Sequence, residues 1–185
     1  MRIISGRARG HNIKAPKGLM TRPTLDRVRE SIFNVLANYG LYDTTVLDFF
    51  SGTGALALEA LSRGALHAVA VDKQTAKLIK ENAEICHLDN RITILPMLIQ
   101  QSVRKLKGQQ FDFIFSDPPY EKNLIAETIK LVVAYDLLKD NGILILEHHE
   151  KEQVVLPEAW ECFRMKKFGY TCVSYCRKQC LEGAN

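Results

Sequence analysis

Alternating apolar runs and helical patterns predict an α/β protein with a mostly parallel sheet and helices on both faces. Three observations point there. From residue 44 onward, strand-like and helix-like runs take turns. Two loops that follow predicted strands carry distinctive residues, Ser51-Gly52-Thr53-Gly54 and Asp117-Pro118-Pro119-Tyr120. Basic residues crowd into the first 30 positions.

Residues 2–15 read as two short strands around a Gly- and Arg-rich turn, and residues 17–23 as a loop. Thr24 can cap a helix running to Asn38, and Asp26 in its first turn suits the helix dipole. Leu25, Val28, Ile32, Val35 and Leu36 form its apolar stripe, which turns Arg27 and Glu30 toward another side. Residues 46–50 read as a strand and 54–63 as a helix. Residues 68–71 read as a strand followed by a helix over 74–87, and 92–95 as a strand followed by a weaker helix over 99–106. Residues 111–116 are a strand, 124–138 a helix ended by Asn141-Gly142, and 143–147 a strand. Residues 163–168 and 171–177 read as paired strands about Gly169-Tyr170. Such sheets bind ligands beyond the carboxyl ends of their strands. The loops after Phe50, Val71, Leu95 and Ser116 are therefore the expected site.

A chain of 185 residues, 46% hydrophobic and 25% charged, fits one globular domain and excludes a disordered tail, a collagen or a membrane bundle. No apolar run approaches the roughly 20 residues that span a bilayer. The start, MRIISGRARG, has no apolar core of signal-peptide length, so a cytoplasmic protein is expected. The net charge of +4 is uneven. Residues 1–30 hold eight Lys or Arg against two acids, a segment of +6, and the remainder is −2. A basic arm on a slightly acidic body points to a polyanionic partner. The five cysteines are odd in number and form no CxxC pair. Reduced thiols are expected and no metal site, although Cys172, Cys176 and Cys180 share a face.

The first loop follows a strand and opens a helix. Gly52 and Gly54 permit a tight turn that a ligand can approach closely. Asp72, 20 residues after Gly52, is placed to accept hydrogen bonds from a ribose diol. The segment also matches GxGxxA, the dinucleotide fingerprint, with Ala57 in the third place. Asp48 argues against a pyrophosphate, which an adjacent carboxylate repels. S-adenosylmethionine carries no phosphate, and its methionine end bears an ammonium and a sulfonium that Asp48 suits. No Lys-Ser or Lys-Thr follows, which excludes a Walker A loop.

In the second loop, consecutive prolines stiffen the backbone and remove two donors, leaving carbonyls free for a donor-rich ligand. Asp117 adds an acceptor and Tyr120 an aromatic plane. These parts fit a flat base with an exocyclic amine, held by Asp117 and the Pro118 carbonyl and stacked on Tyr120. Orienting the amine's lone pair toward a sulfonium methyl needs no cysteine nucleophile.

TRPTLDRVRESIFNVL at residues 21–36, LDFFSGTGALALEALSRGA at 47–65, VDK at 71–73 and DPPY at 117–120 resemble the RsmD-type methyltransferases, in order, over residues 1–177. The resemblance implies a Rossmann-like class I S-adenosylmethionine-dependent methyltransferase fold, with a seven-stranded sheet completed by the last two strands. It implies a basic hairpin arm over residues 1–23, a catalytic domain over 24–180 and a tail over 181–185. It further implies methylation of N2 of a guanine in 16S rRNA, at position 966, by a monomer acting on the RNA in a small ribosomal subunit or an assembly intermediate. Asp117, Pro118, Pro119 and Tyr120 would hold the target amine. Asp48, Ser51, Gly52, Thr53, Gly54, Asp72, Lys73 and Met97 would bind the cofactor. Arg7, Arg9, Lys14, Arg22, Arg27 and Arg29 would contact RNA, the segment from Arg22 to Arg29 also lying over the cofactor.

After the third strand, Pro96-Met97-Leu98 replaces the acid or amide that many methyltransferases use for adenine, so backbone groups would read it and Met97 or Leu98 hold it by apolar contact. His148 and His149 are expected as exposed loop residues, and Trp160 and Phe163 as packing. Arg164, Lys166, Lys167, Arg177 and Lys178 either extend an RNA surface or form a solvated strand face. Rival readings are a DNA adenine or cytosine amino-methyltransferase, a protein glutamine methyltransferase, a nicotinamide-dependent oxidoreductase and a non-catalytic RNA-binding module. The short arm offers little to read a duplex sequence, which weighs against DNA.

Overall fold

The computed structural model describes residues 1–16, 23–119 and 123–179. Seven strands form one sheet: β1 (Thr45–Phe49), β2 (His67–Val71), β3 (Ile92–Leu95), β4 (Phe111–Ser116), β5 (Leu138–His149), β6 (Trp160–Phe168) and β7 (Thr171–Lys178). Their order is β3-β2-β1-β4-β5-β7-β6. The first five are parallel, and β7 runs antiparallel between β5 and β6. The chain steps outward from β1 to β3, then returns to β4 on the other side of β1. The switch point therefore lies between β1 and β4.

Among the described residues five α-helices cover the sheet: α1 (Pro23–Leu36), α2 (Ala55–Ser62), α3 (Ala76–Ile85), α4 (Ile99–Lys105) and α5 (Leu124–Ala134). Side chains alternate across each strand, so the two faces sort cleanly. Val46, Phe113, Phe115, Ile143 and Ile145 pack with α1, α2 and α3. Leu47, Ile114, Leu144 and Leu146 pack with α4 and α5. Among the described residues no helix is long and apolar enough to cross a membrane.

The arm is a hairpin with one bridge, Arg2 to Asn12, in place of the two strands expected over 2–15. Its wider loop is held by Ile3 N–H to the His11 carbonyl (3.0 Å) and Ile13 N–H to the Met1 carbonyl (3.0 Å). Helix α1 opens at Pro23, whose missing N–H costs nothing at a first helical position. The Thr24 side chain, Arg22 and the loop over 17–22 lie outside the described residues.

Helix α5 ends at Ala134, short of the expected 138. Asp136 adopts a left-handed conformation (φ 47°), and the Asp136 and Leu137 amides turn back to the Val133 and Val132 carbonyls. That is a helix stop without glycine. It frees Leu138 to begin β5, which runs on through His149. His148 is consequently buried in the sheet and not in an exposed loop. Its Nδ1–H donates to the His149 carbonyl (3.0 Å), and its Nε2 accepts from Ser174 Oγ (2.9 Å). Helix α3 starts at Ala76, and the amides of Gln74 and Thr75 just ahead of it are taken by the Asp72 carboxylate.

Candidate active site

The glycine loop grows directly from β1. Ser51 N–H bonds the Val71 carbonyl of β2 (3.1 Å), and Gly54 N–H closes a turn on the Ser51 carbonyl (2.7 Å). Gly54 has φ 80°, and a Cβ there would stand 3.1 Å from Ile79 Cγ2 of α3, so both backbone and space call for glycine. Asp72 braces the loop by accepting from Gly52 N–H (3.0 Å) while its other oxygen takes Gln74 and Thr75. The turn is held before any ligand arrives.

Asp48 lies beneath this turn, 1% exposed. Its Oδ2 accepts from Ser51 Oγ (2.6 Å) and from Ala57 N–H at the start of α2 (3.2 Å). Burial nevertheless pushes its pKa up to about 7, and the neighbouring Asp117 and Asp72 charges add to the rise. An acid held this way is stabilised in its ionised form by any cation placed beside it.

Asp48, Asp117 and Glu147 project from β1, from the end of β4 and from β5. Each continues the alternation of the face covered by α1 and α2. All three line one cavity of about 620 Å³. Phe50, Ser51, Gly52 and Thr53 form another wall, and Gln74 and Thr75 the far end. Met1, Ala15 and Pro16 of the arm, with Arg29 and Ile32 of α1, cover it. The volume suits a nucleoside-sized ligand. Burial raises the pKa of both Asp117 and Glu147, and the Asp117 charge raises Glu147 further.

Arg29 is 4% exposed, so it does not stand on the solvent surface expected of an RNA contact. Its Nη2 donates to the Arg2 carbonyl (2.6 Å) and to Asp26 (3.2 Å), while Nε makes no hydrogen bond and lies 3.9 Å from Glu59 Oε2. Burial lowers its pKa, with Glu59 and Asp26 opposing. Arg7, Arg9 and Arg27 are exposed, and Lys14 is exposed but paired with Glu81 (2.8 Å). Pro118 is buried and Pro119 exposed; Tyr120 lies outside the described residues. Of the expected cofactor and target-base residues, Gly54, Asp72, Lys73, Met97, Pro118 and Pro119 do not line the cavity, whose far end Gln74 and Thr75 occupy.

The family model "Conserved hypothetical protein 95" matches residues 1–177. Ribosomal RNA small subunit methyltransferase D of Escherichia coli K12 is 36% identical over 173 residues, covering 91% of this chain and 85% of its own. YlbH of Bacillus subtilis is 33% identical over 187 residues, covering 97% and 100%.

The chain belongs to the RsmD-type methyltransferase family.

The solved structure of Escherichia coli yhhF superposes with a TM-score of 0.85 at 31% identity, covering 97% of this RsmD-type chain and 98% of that one. The fold is thus the Rossmann-like methyltransferase fold.

Motif reading of this RsmD-type chain misses the residues that dock the arm. Glu59, fully buried in α2, accepts from the amides of Ile4 (2.8 Å) and Ser5 (3.0 Å) and from Arg63 Nε (2.7 Å). Ser62 Oγ donates to the Ser5 carbonyl and accepts from Ala8 N–H. Asn82 of α3 accepts from Lys14 N–H (2.7 Å) and donates to the carbonyls of Lys14 (3.0 Å) and Thr53 (2.8 Å). One amide thereby ties the arm to the glycine loop. The signal was present: Glu59 is the lone charge in the run ALALEALS.

Proposed function

We propose that this RsmD-type chain transfers a methyl group from S-adenosylmethionine to the exocyclic N2 of guanine 966 in 16S rRNA. The observation that carries the reading is the placement of Asp48 and Asp117 on neighbouring strands, both facing one cavity at the switch point. When bound, S-adenosylmethionine supplies an electrophilic methyl group on a positively charged sulfur.

Asp48 offers that cation a carboxylate whose ionisation burial otherwise opposes. Arg29, a buried cation that lines the cavity, is reassigned from the RNA surface to the cofactor's carboxylate. Gly52, Ser51, Thr53 and Gly54 shape the seat, and the one lone pair Asp72 has left, on Oδ2, is an acceptor for a ribose hydroxyl. Asp117 and the Pro118 carbonyl accept the two amine hydrogens of the flipped base, and Tyr120 stacks on it. Holding both hydrogens turns the N2 lone pair toward the methyl group, a gain of orientation and electrostatics. N2 sheds one proton after transfer, and Asp117, its proton affinity raised by burial, is placed to take it.

Exposed Arg7, Arg9 and Arg27 contact the phosphate backbone. The substrate is rRNA in a small-subunit particle, met by a monomer. The test uses trideuteromethyl-labelled cofactor with small-subunit particles, naked 16S rRNA and duplex DNA, followed by nuclease digestion and mass mapping. The reading expects label on N2 of one guanine of the rRNA. Label on DNA, or none on rRNA, would overturn it.

A further inference from the structure

We propose that Glu147 reads the target base: its carboxylate accepts the N1–H of guanine while Asp117 and the Pro118 carbonyl hold the N2 amine. The proposal rests on the guanine reading above and names the residue that makes the site prefer that base.

Glu147 is 8% exposed and lines the same cavity as Asp117. Strands β4 and β5 are parallel neighbours, and Ser116 pairs with Leu146. The next residue on each strand is Asp117 and Glu147, so the two carboxylates emerge side by side on one face. Their closeness is also felt electrostatically, since the Asp117 charge raises the Glu147 pKa.

Among the described residues Glu147 makes no side-chain hydrogen bond or ion pair. The contrast with Glu59 is informative. That buried acid is satisfied by two amides and Arg63, with Arg29 3.9 Å away, and its role is structural. The Glu147 carboxyl opens onto the cavity, burial there disfavours its charge, and no hydrogen bond among the described residues accounts for it. A donor-bearing ligand in the cavity resolves the cost.

Guanine presents the matching edge. Its N1–H lies beside the N2 amine, so two neighbouring acceptors meet two neighbouring donor groups. Adenine and cytosine also carry an exocyclic amine, but their adjacent ring nitrogen is an acceptor. Above about pH 8, where Glu147 is ionised, the lone pair of that nitrogen would face the carboxylate with repulsion in place of a hydrogen bond. An N1–H donor favours the ionised carboxylate, which removes the burden that Asp117 and burial place on it.

The test compares guanine with 2-aminopurine, which keeps the 2-amine but bears a lone pair at N1. Small-subunit particles are reconstituted on 16S rRNA carrying either base at the target position. At about pH 8.5, where Glu147 is ionised, wild type should methylate guanine with kcat/KM at least about 30-fold above 2-aminopurine, the scale of a charged hydrogen bond. Glu147→Leu should lose guanine activity and bring the ratio below about 3, because 2-aminopurine never used that bond. Glu147→Gln, whose amide can accept from N1–H or donate to the N1 lone pair of 2-aminopurine, should serve both bases better than the Leu variant and so lower the preference without losing guanine activity. Affinity for S-adenosylhomocysteine and the thermal melt report folding, and Glu147→Ala replaces the Leu variant if that fails to fold. A ratio unchanged in the folded Leu or Ala variant overturns the proposal. Wild type without activity on guanine instead overturns the parent reading.

Discussion

Phe49 and Ser116 are direct partners in the parallel pair β1–β4, so the glycine loop and the Asp-Pro-Pro loop leave the sheet abreast. Had those strands not been neighbours, the two motifs would belong to separate sites. Their adjacency places Asp48 and Asp117 in one cavity and makes a direct transfer geometrically reasonable.

Asp117→Ala should lower methyl transfer by about 10³-fold or more while leaving S-adenosylhomocysteine affinity within a few-fold, since Asp117 addresses the base and Asp48 the cofactor. Incorporation of tritiated methyl into small-subunit particles and calorimetry check the two halves. Normal transfer by this variant would remove Asp117 from the chemistry.

Arg29→Met should weaken cofactor binding by about 10-fold or more, the effect of a lost charged hydrogen bond, and leave the salt dependence of RNA binding unchanged. Titration calorimetry and filter binding at several salt concentrations measure both. In the same assay, neutralising Arg7 and Arg9 together should lower the slope of log K against log salt by about 1.4, near 0.7 for each phosphate contact with single-stranded RNA. An unchanged slope would take the arm out of the interface.

The raised pKa of Asp48 fixes a pH dependence. The ligand-free fold retains a proton on Asp48 that the unfolded chain releases near pH 4. Stability from this group is therefore full below that range and is lost as pH rises through about 7. Thermal melts of Asp48→Asn should show a shallower decline across that window, the residual slope belonging to Asp117 and Glu147. Affinity for the cationic cofactor should run the other way in wild type, rising from pH 6 to 8 as Asp48 ionises.

Two positions test how the arm is held. A Cβ at Gly6 would stand 1.9 Å from the Ser62 carbonyl oxygen, at φ 83°. Gly6→Ala should cost about 2–4 kcal/mol in denaturant unfolding or detach the arm altogether. Asn82→Ala breaks three hydrogen bonds at once and should cost about 2–3 kcal/mol. It should also weaken cofactor binding, because one of those bonds fixes Thr53.

The sheet was readable from sequence because its signals are local. Apolar runs such as FDFIFS, and glycines after strands, report their own conformations. Element ends were harder. Asp136 stops α5 in a conformation usually marked by glycine, so β5 begins earlier and His148 lies inside the sheet. The site divides in the same way. Asp48, Gly52, Asp72 and Asp117 sit at fixed offsets from predicted strands and could be found there. Arg29, Asn82 and Glu147 matter through contacts made across the fold. Arg29 belongs to a basic segment by composition, yet its helix phase turns it into the core beside Ile32.

The most direct measurement is a crystal structure of Asp117→Asn with S-adenosylmethionine and an RNA fragment bearing the target guanine. The methyl carbon should lie about 3–3.5 Å from N2, in line with the carbon–sulfur bond, between the Gly52 turn and residue 117. A cofactor bound outside that gap, or a base entering from the opposite end of the sheet, would contradict the mechanism.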